Sequence, residues 1–268
     1  MSHPFRGKSS KREFAGTTKE GLPAAVVLAG GLGTRLRTAY AAGPKSMAPV
    51  GGRPFLDYLL TWLQSEGARE VILCVGYKRA QIRRYVGKGR KWGLRVTYSI
   101  EKKLLGTGGA VKKVERLIPG KRLLVINGDT FVDVNLSELV KFHRCREALA
   151  TLAAVKVADN RRYGSLRLDG ESRITKFLEK GKRNGSAKRE EETRPINAGV
   201  YVFEKKLLSK IRAGAPISLE TTIFPQLLTS KRMYAFTTDT YFIDIGVPDD
   251  FRRAQNELPE RFGIHDPR

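Results

Sequence analysis

Pro23-Ala24-Ala25-Val26-Val27-Leu28-Ala29-Gly30-Gly31-Leu32-Gly33-Thr34-Arg35-Leu36 is the stretch on which the fold turns. Its first half is a continuous apolar run with no alternation, the pattern of a parallel strand covered on both faces. Its second half is a glycine-rich loop. A strand that runs straight into such a loop is the usual way an open α/β sheet presents backbone amides to phosphate. The loop is not the dinucleotide pattern G-x-G-x-x-G, because Leu36 stands where the third glycine would be, and no Gly-Lys-Ser/Thr follows to make a Walker loop. A bare glycine loop is more often a turn than a ligand site. Here two cations favour the ligand reading: Arg35 follows at once, and Lys45 stands a short loop away in Gly43-Pro44-Lys45. A guanidinium holds phosphate oxygens in a fork, and a lysine supplies a compact mobile charge.

Outward from this stretch the chain alternates strand and helix. Leu56, Leu59, Leu60 and Leu63 repeat at helical spacing over 54–66, with Pro54 suited to the first turn. Strands are expected over 70–75, 94–99, 123–126 and 150–157, and helices over 80–86, from near Gly109 to 118, and over 136–147. This order implies a mostly parallel sheet with helices on both faces. The second half is less regular. Short alternating runs at 164–168, 174–180 and 198–203 imply an antiparallel or mixed extension. Residues 181–194 read as a surface loop and 221–228 as a helix. Residues 233–239 and 240–245 are expected to form a final strand pair, and 249–257 a last helix with acids first and arginines later, as the helix dipole favours.

Two aspartates occupy strand ends. Asp129 closes Leu123-Leu124-Val125-Ile126-Asn127-Gly128, and Asp244 closes Tyr241-Phe242-Ile243. Carboxylates there emerge at the carboxyl edge of the sheet, where open α/β sheets bind ligands. Either one is also an ordinary turn residue. Their sharper reading is a shared magnesium ion, which takes hard oxygen ligands and few protein carboxylates.

The chain has 268 residues and 41% hydrophobic content, enough for one α/β domain with a real core. Residues 1–21 read as a basic N-terminal arm, 22–257 as a single domain, and 258–268 as a tail. Cys74 and Cys145 lack ligand spacing, so a zinc site or disulfide framework has no support, and the pair fits a reducing, cytoplasmic setting. No apolar run suits a signal peptide or a membrane span. Fifty Lys and Arg against 27 Asp and Glu give a formal charge of +23. Such a field attracts polyanions, among them nucleoside triphosphates and sugar phosphates. Zinc-finger spacing, RNA-binding aromatics and a heptad zipper are all missing, so nucleic acid is not the expected partner. His3, His143 and His265 fall in the arm, a helix and the tail, and none is expected to be catalytic. The oligomeric state stays open.

Six ordered motifs together resemble the sugar-1-phosphate nucleotidyltransferases. They are Leu28 to Leu36 with Pro44-Lys45, Leu105-Gly106-Thr107-Gly108-Gly109-Ala110, Asn127-Gly128-Asp129, Phe177-Leu178-Glu179-Lys180, Asn197-Ala198-Gly199-Val200-Tyr201, and Asp244-Ile245-Gly246. The resemblance covers residues 22–256. Lys45-Ser46-Met47-Ala48-Pro49-Val50, Arg53 to Leu60 and Leu104 to Ala110 resemble the D-glycero-α-D-manno-heptose 1-phosphate guanylyltransferases within that family.

The resemblance implies a Rossmann-like, mostly parallel mixed sheet, the nucleotide-diphospho-sugar transferase fold. It implies a magnesium-dependent enzyme that joins a nucleoside monophosphate to a sugar 1-phosphate and releases pyrophosphate, with GTP the favoured donor. Leu28, Gly30, Gly31, Gly33, Thr34, Arg35, Gly106, Thr107 and Gly108 would bind nucleotide. Lys45, Gly128, Glu179, Lys180, Asn197 and Gly199 would surround the sugar phosphate, within a sugar-binding part mainly over 160–245. Arg35, Lys45 and Asp129 would carry catalysis, and Asp129 and Asp244 the metal. Acceptors such as glucose 1-phosphate or mannose 1-phosphate remain open at this point. So does a non-catalytic sugar-nucleotide or nucleic-acid binding protein.

Overall fold

In the computed structural model, residues 21–31, 40, 42–157, 163–178 and 194–264 are described. The expected arm over 1–21 lies almost wholly outside them. The apolar run forms β1 (Ala25–Ala29) at the centre of the main sheet. It pairs in parallel with β4 (Glu70–Val75) on one side and with β6 (Arg122–Asn127) on the other. Its residues divide strictly between two cores. Ala25, Val27 and Ala29 pack into the cluster on one face, and Val26 into the cluster on the other. That division is why the run is apolar throughout: both faces are covered by packing, with Leu28 partly exposed near the strand's end.

Across the main sheet the order is β5 (Arg95–Ile100), β4, β1, β6, β11 (Ile196–Glu204), β8 (Ala150–Val155) and β12 (Met233–Thr238). The first four strands are parallel. β11 runs antiparallel to both of its neighbours, and β12 is parallel to β8. The antiparallel hairpin of β9 (Ser165–Leu168) and β10 (Ile174–Leu178) joins β11 through Ile196↔Ser165. One face carries α1 (Phe55–Ser65), α2 (Arg79–Val86), α4 (Leu136–Cys145) and α6 (Pro248–Arg261). The other carries α3 (Gly106–Lys113) and α5 (Phe224–Leu228), the latter entered by a π-turn over Leu219–Ile223. A small ribbon of β2 (Pro49–Val50) and β3 (Arg53–Pro54) precedes α1.

Three sequence expectations are corrected here. Helix α3 begins at Gly106, not near Gly109, so three glycines sit inside its first turn. Glycine weakens a helix, but here packing decides, because the amides of Gly108 and Gly109 both donate to Ile217 O. The last helix runs on to Arg261, and Leu258 is fully buried in the core instead of opening a tail. Third, 233–239 and 240–245 do not pair with each other. β12 joins the main sheet, whereas β13 (Phe242–Asp244) leaves it and pairs antiparallel with β7 (Thr130–Val132). Both runs are short, and nothing local selects their partners. This last difference positions the site.

Candidate active site

Four chain segments meet at the carboxyl edge of the parallel strands. β6 ends at Asn127 and turns through Gly128-Asp129 into β7. The turn lies against the end of β1: Gly128 N donates to Leu28 O at 3.0 Å, and a Cβ on Gly128 would come within 2.7 Å of that same oxygen. Glycine is therefore the residue that lets Asp129 reach the edge. β13 lies beside β7 with Asp244 opposite Thr130, and Ile245 N donates to Asp129 O at 3.0 Å. The two aspartates are thus neighbours across a short ribbon.

Lys45 reaches this pair from the loop after Pro44. Its Nζ lies 2.6 Å from Asp129 Oδ2 and 3.6 Å from Asp244 Oδ1, with the lysine side chain only 9% exposed. Gly246 N donates to Asp244 Oδ1 at 2.7 Å and fixes that carboxylate. Asn127 Oδ1 and Thr130 Oγ1 are buried beside the turn with no hydrogen-bond partner among the described residues.

Above this cluster opens a cavity of about 800 Å³. Leu28, Gly30 and Gly31 line it from the end of β1, Gly106 and Thr107 from α3, and Asp129, Asn197 and Asp244 from the other strand ends. Gly31 stands clear, with no described residue within 4 Å of where a Cβ would be. Asn197 is aimed by a bulge in β11, where the pairing with β8 shifts between Asn197 and Tyr201. Gly199 makes that bulge. Its φ is +75°, and a Cβ would meet Thr130 Oγ1 at 2.5 Å and Asn127 Nδ2 at 2.8 Å. Asn197 Oδ1 accepts from Gly199 N, and its Nδ2 donates to the buried hydroxyl of Tyr201.

Eight residues chosen from the sequence therefore share one cavity, and Lys45 joins two of them. Gly108, Gly128 and Gly199 are close by but pack against protein atoms beneath it. Gly33, Thr34, Arg35, Glu179 and Lys180 lie outside the described residues.

Sequence reasoning missed two carboxylates on the wall, Glu101 and Glu220. Glu101 follows β5, and its Oε1 would lie 2.7 Å from a Cβ on Gly30. Burial raises its pKa, while the Leu105 amide, donating to Oε2 at 3.2 Å, and Lys113 favour the charged form. A signal existed: Glu101 is the one acid between Glu70 and Glu115, and it sits at a strand end. Glu220 accepts from Thr107 Oγ1 and Ser218 Oγ, both at 2.8 Å, and nothing in the sequence marked it. Tyr163, Phe177 and Phe242 add aromatic surface.

A cavity with a cation and paired carboxylates at a sheet edge suits many phosphate chemistries. The model of the nucleotidyl transferase family matches residues 24–261, nearly the whole chain. The chain belongs to the sugar-1-phosphate nucleotidyltransferase family. It has the nucleotide-diphospho-sugar transferase fold, and its general chemistry is transfer of a nucleotidyl group to a sugar 1-phosphate with release of pyrophosphate. Among relatives, the D-glycero-α-D-manno-heptose 1-phosphate guanylyltransferase of Aneurinibacillus thermoaerophilus is 39% identical, over 87% of this chain and 97% of that one. The mannose-1-phosphate guanylyltransferase of Mycobacterium tuberculosis is 38% identical, over 87% of this chain and 64% of that one. The crystal structure of HddC from Yersinia pseudotuberculosis complexed with GMP-PN matches with a TM-score of 0.77 at 33% identity, covering 88% of this chain and all of that one.

As a family member the chain needs room for a triphosphate and a sugar phosphate, and the cavity volume falls in the range usual for such sites. No described helix is long and apolar enough to cross a membrane.

Proposed function

We propose that this chain is a magnesium-dependent guanylyltransferase that transfers GMP from GTP to D-glycero-α-D-manno-heptose 1-phosphate in the cytoplasm. The observation that carries the reading is Lys45 held between Asp129 and Asp244 at the floor of the cavity. An oxygen of the sugar 1-phosphate attacks the α-phosphorus in line, a new P–O bond forms, and the bond to the β-phosphate breaks to release pyrophosphate. The attacking phosphate is already ionised near neutrality, so no strong general base is needed. Positioning and charge neutralisation carry the rate. The Lys45 ammonium stabilises charge that grows at the α-phosphate. Gly30 and Gly31 let the triphosphate approach the backbone, and Arg35 takes its β- and γ-phosphates. Thr107 and the glycines of α3 bound the base and ribose. Asn197, Glu179 and Lys180 hold the sugar phosphate.

The carboxylate pair fits magnesium. A positive charge, the lysine's, already stands between the two groups, and magnesium takes few protein carboxylates when it binds with phosphates. Asp129 and Asp244, brought together by the β7–β13 ribbon, are the pair that would hold it. When bound there, magnesium would neutralise triphosphate oxygens and the departing pyrophosphate.

Glu101 supports guanine. An ionised carboxylate only accepts hydrogen bonds, and guanine alone among the common bases presents two adjacent donors, N1–H and N2–H, on its pairing edge. The wall position of Glu101, beside Gly30 and the start of α3, suits a base bound there. The names of the relatives above point the same way, as does the GMP-PN complex. Mannose 1-phosphate is the second reading, favoured by the nearly equal identity to the mycobacterial relative. The two sugars share the manno ring, and the heptose carries one further hydroxyl-bearing carbon.

A matrix of nucleoside triphosphates against sugar 1-phosphates, read as pyrophosphate release, tests the reading. Release is expected only when both substrates are present, fastest with GTP and the heptose 1-phosphate. Glu101→Gln should reduce the preference for GTP. Tight nucleotide binding without pyrophosphate release from any pair would instead mark a sensor.

A further inference from the structure

Two carboxylates held side by side are costly unless a positive charge sits between them. Here their spacing is set by backbone. The β7–β13 pairing places Asp244 opposite Thr130, Ile245 N donates to Asp129 O, and Gly246 N holds Asp244 Oδ1. Among the described residues, Lys45 brings a positive charge to both carboxylates, on a four-carbon stem that can swing.

The room for that ammonium is built into the chain at residue 246. A Cβ on Gly246 would lie 1.8 Å from Lys45 Nζ and 2.8 Å from both Lys45 Cε and Asp244 Oδ1. Gly246 is not among the residues with positive φ, so its backbone does not demand glycine. The ammonium does.

We propose that Lys45 is the resident cation of the seat between Asp129 and Asp244, and that a divalent metal gains this seat only by displacing the lysine. This rests on the metal reading above and adds competition to it. An ammonium and a divalent ion cannot share so small a space, because both need the same oxygens and repel each other strongly at this range. Without a metal the lysine keeps the carboxylates neutralised. When the metal–triphosphate complex enters, the ammonium leaves Asp129 for the phosphate oxygens arriving beside it. Metal loading and delivery of Lys45 to the reacting phosphate become a single exchange, and the empty enzyme holds metal weakly.

The test is direct binding of Mn2+ to the full-length chain without nucleotide, followed by electron paramagnetic resonance or calorimetry. Lys45→Gln should bind Mn2+ about tenfold more tightly than the unmodified chain, a modest share of the repulsion removed. Gly246→Ala, which expels the ammonium but keeps its charge in the chain, should shift affinity in the same direction. Asp129→Asn should abolish binding in either background. Circular dichroism checks that each variant is folded, and either tightening variant suffices.

Unchanged or weaker Mn2+ binding in the folded variants would overturn the exchange. If Mn2+ still binds the unmodified chain in the presence of GTP, the metal reading survives that failure. If no variant binds Mn2+ with or without GTP, both fail together.

Discussion

The neighbouring strands β6 and β11 run side by side from Arg122↔Glu204 at one end to Ile126↔Val200 at the other, and their two ends treat polar groups in opposite ways. At the first end the polar groups face one another. Arg122 Nε donates to Glu204 Oε1 at 2.7 Å, and the fully buried His143 lies 2.8 Å from Thr151 Oγ1 through Nδ1 and 3.6 Å from the same glutamate oxygen through Nε2. Nδ1 shares a hydrogen bond with the Thr151 hydroxyl, while Nε2 faces Glu204 at a distance too long for a hydrogen bond and has no such partner among the described residues. At the second end polar groups gather at a cavity. Asn127 Oδ1 and Thr130 Oγ1 are buried without a hydrogen bond among the described residues, Asn197 is turned into the cavity by a bulge, and Lys45 lies beside both Asp129 and Asp244. Charge that closes on itself belongs to folding. Buried polar atoms left over at a cavity await a ligand.

The largest expected effect falls at the open end. Asp129→Asn should lower the rate of pyrophosphate release by about a hundredfold or more, the usual loss when a transition-state charge contact is removed, and should leave the melting temperature nearly unchanged. A melting point that collapsed with the activity would break the comparison, because the open end would then be structural as well.

At the closed end the expected effects are on stability. Burial pushes the His143 pKa down to about 4 from 6.5, with Glu204 working against that and Arg122 adding to it. The unfolded chain therefore takes up a proton below pH 6.5 that the folded chain refuses until about pH 4. The folded state is favoured in full above 6.5 and loses on the order of 3 kcal/mol from this group as pH falls through that window. Urea titrations at several pH values should show the loss, and His143→Gln should flatten it. Glu204→Ala, which strips a partner from both Arg122 and His143, should cost about 2 kcal/mol at neutral pH, with KM unchanged for either substrate. A changed KM would show that the two ends are coupled through the strands.

The smallest effect sharpens the contrast further. Gly31→Ala adds a methyl group where no described residue stands within 4 Å, so stability should stay within about 0.5 kcal/mol. KM for the triphosphate should still rise about tenfold, the worth of one charge-assisted contact.

The fold was legible wherever burial is local. The run from Ala24 to Ala29 announces a strand covered on both faces, and α1 announces itself by its leucines. Asp129 and Asp244 were each legible as carboxylates at strand ends. Their adjacency was not, because it depends on two three-residue strands choosing each other across the chain, and such short runs carry no partner signal. The glycines were legible only as missing side chains. Gly31 leaves space to a ligand, whereas Gly108 and Gly128 yield theirs to the carbonyls of Ile217 and Leu28, and sequence does not distinguish these uses. Glu101 could have been found by extending the strand-end rule used for Asp129 and Asp244 to the strand expected over 94–99. Glu220 could not, since its place on the wall comes from the π-turn and its hydrogen bonds to Thr107 and Ser218.

In the proposed mechanism the two strand-end carboxylates form one cation seat facing the triphosphate. Anomalous scattering from crystals grown with Mn2+ and a non-hydrolysable GTP analogue measures this directly. The expected result is one manganese peak bonded to both Asp129 and Asp244, with Lys45 swung onto the phosphates. A manganese peak away from the aspartates, or Lys45 still seated between them under a bound analogue, would contradict it.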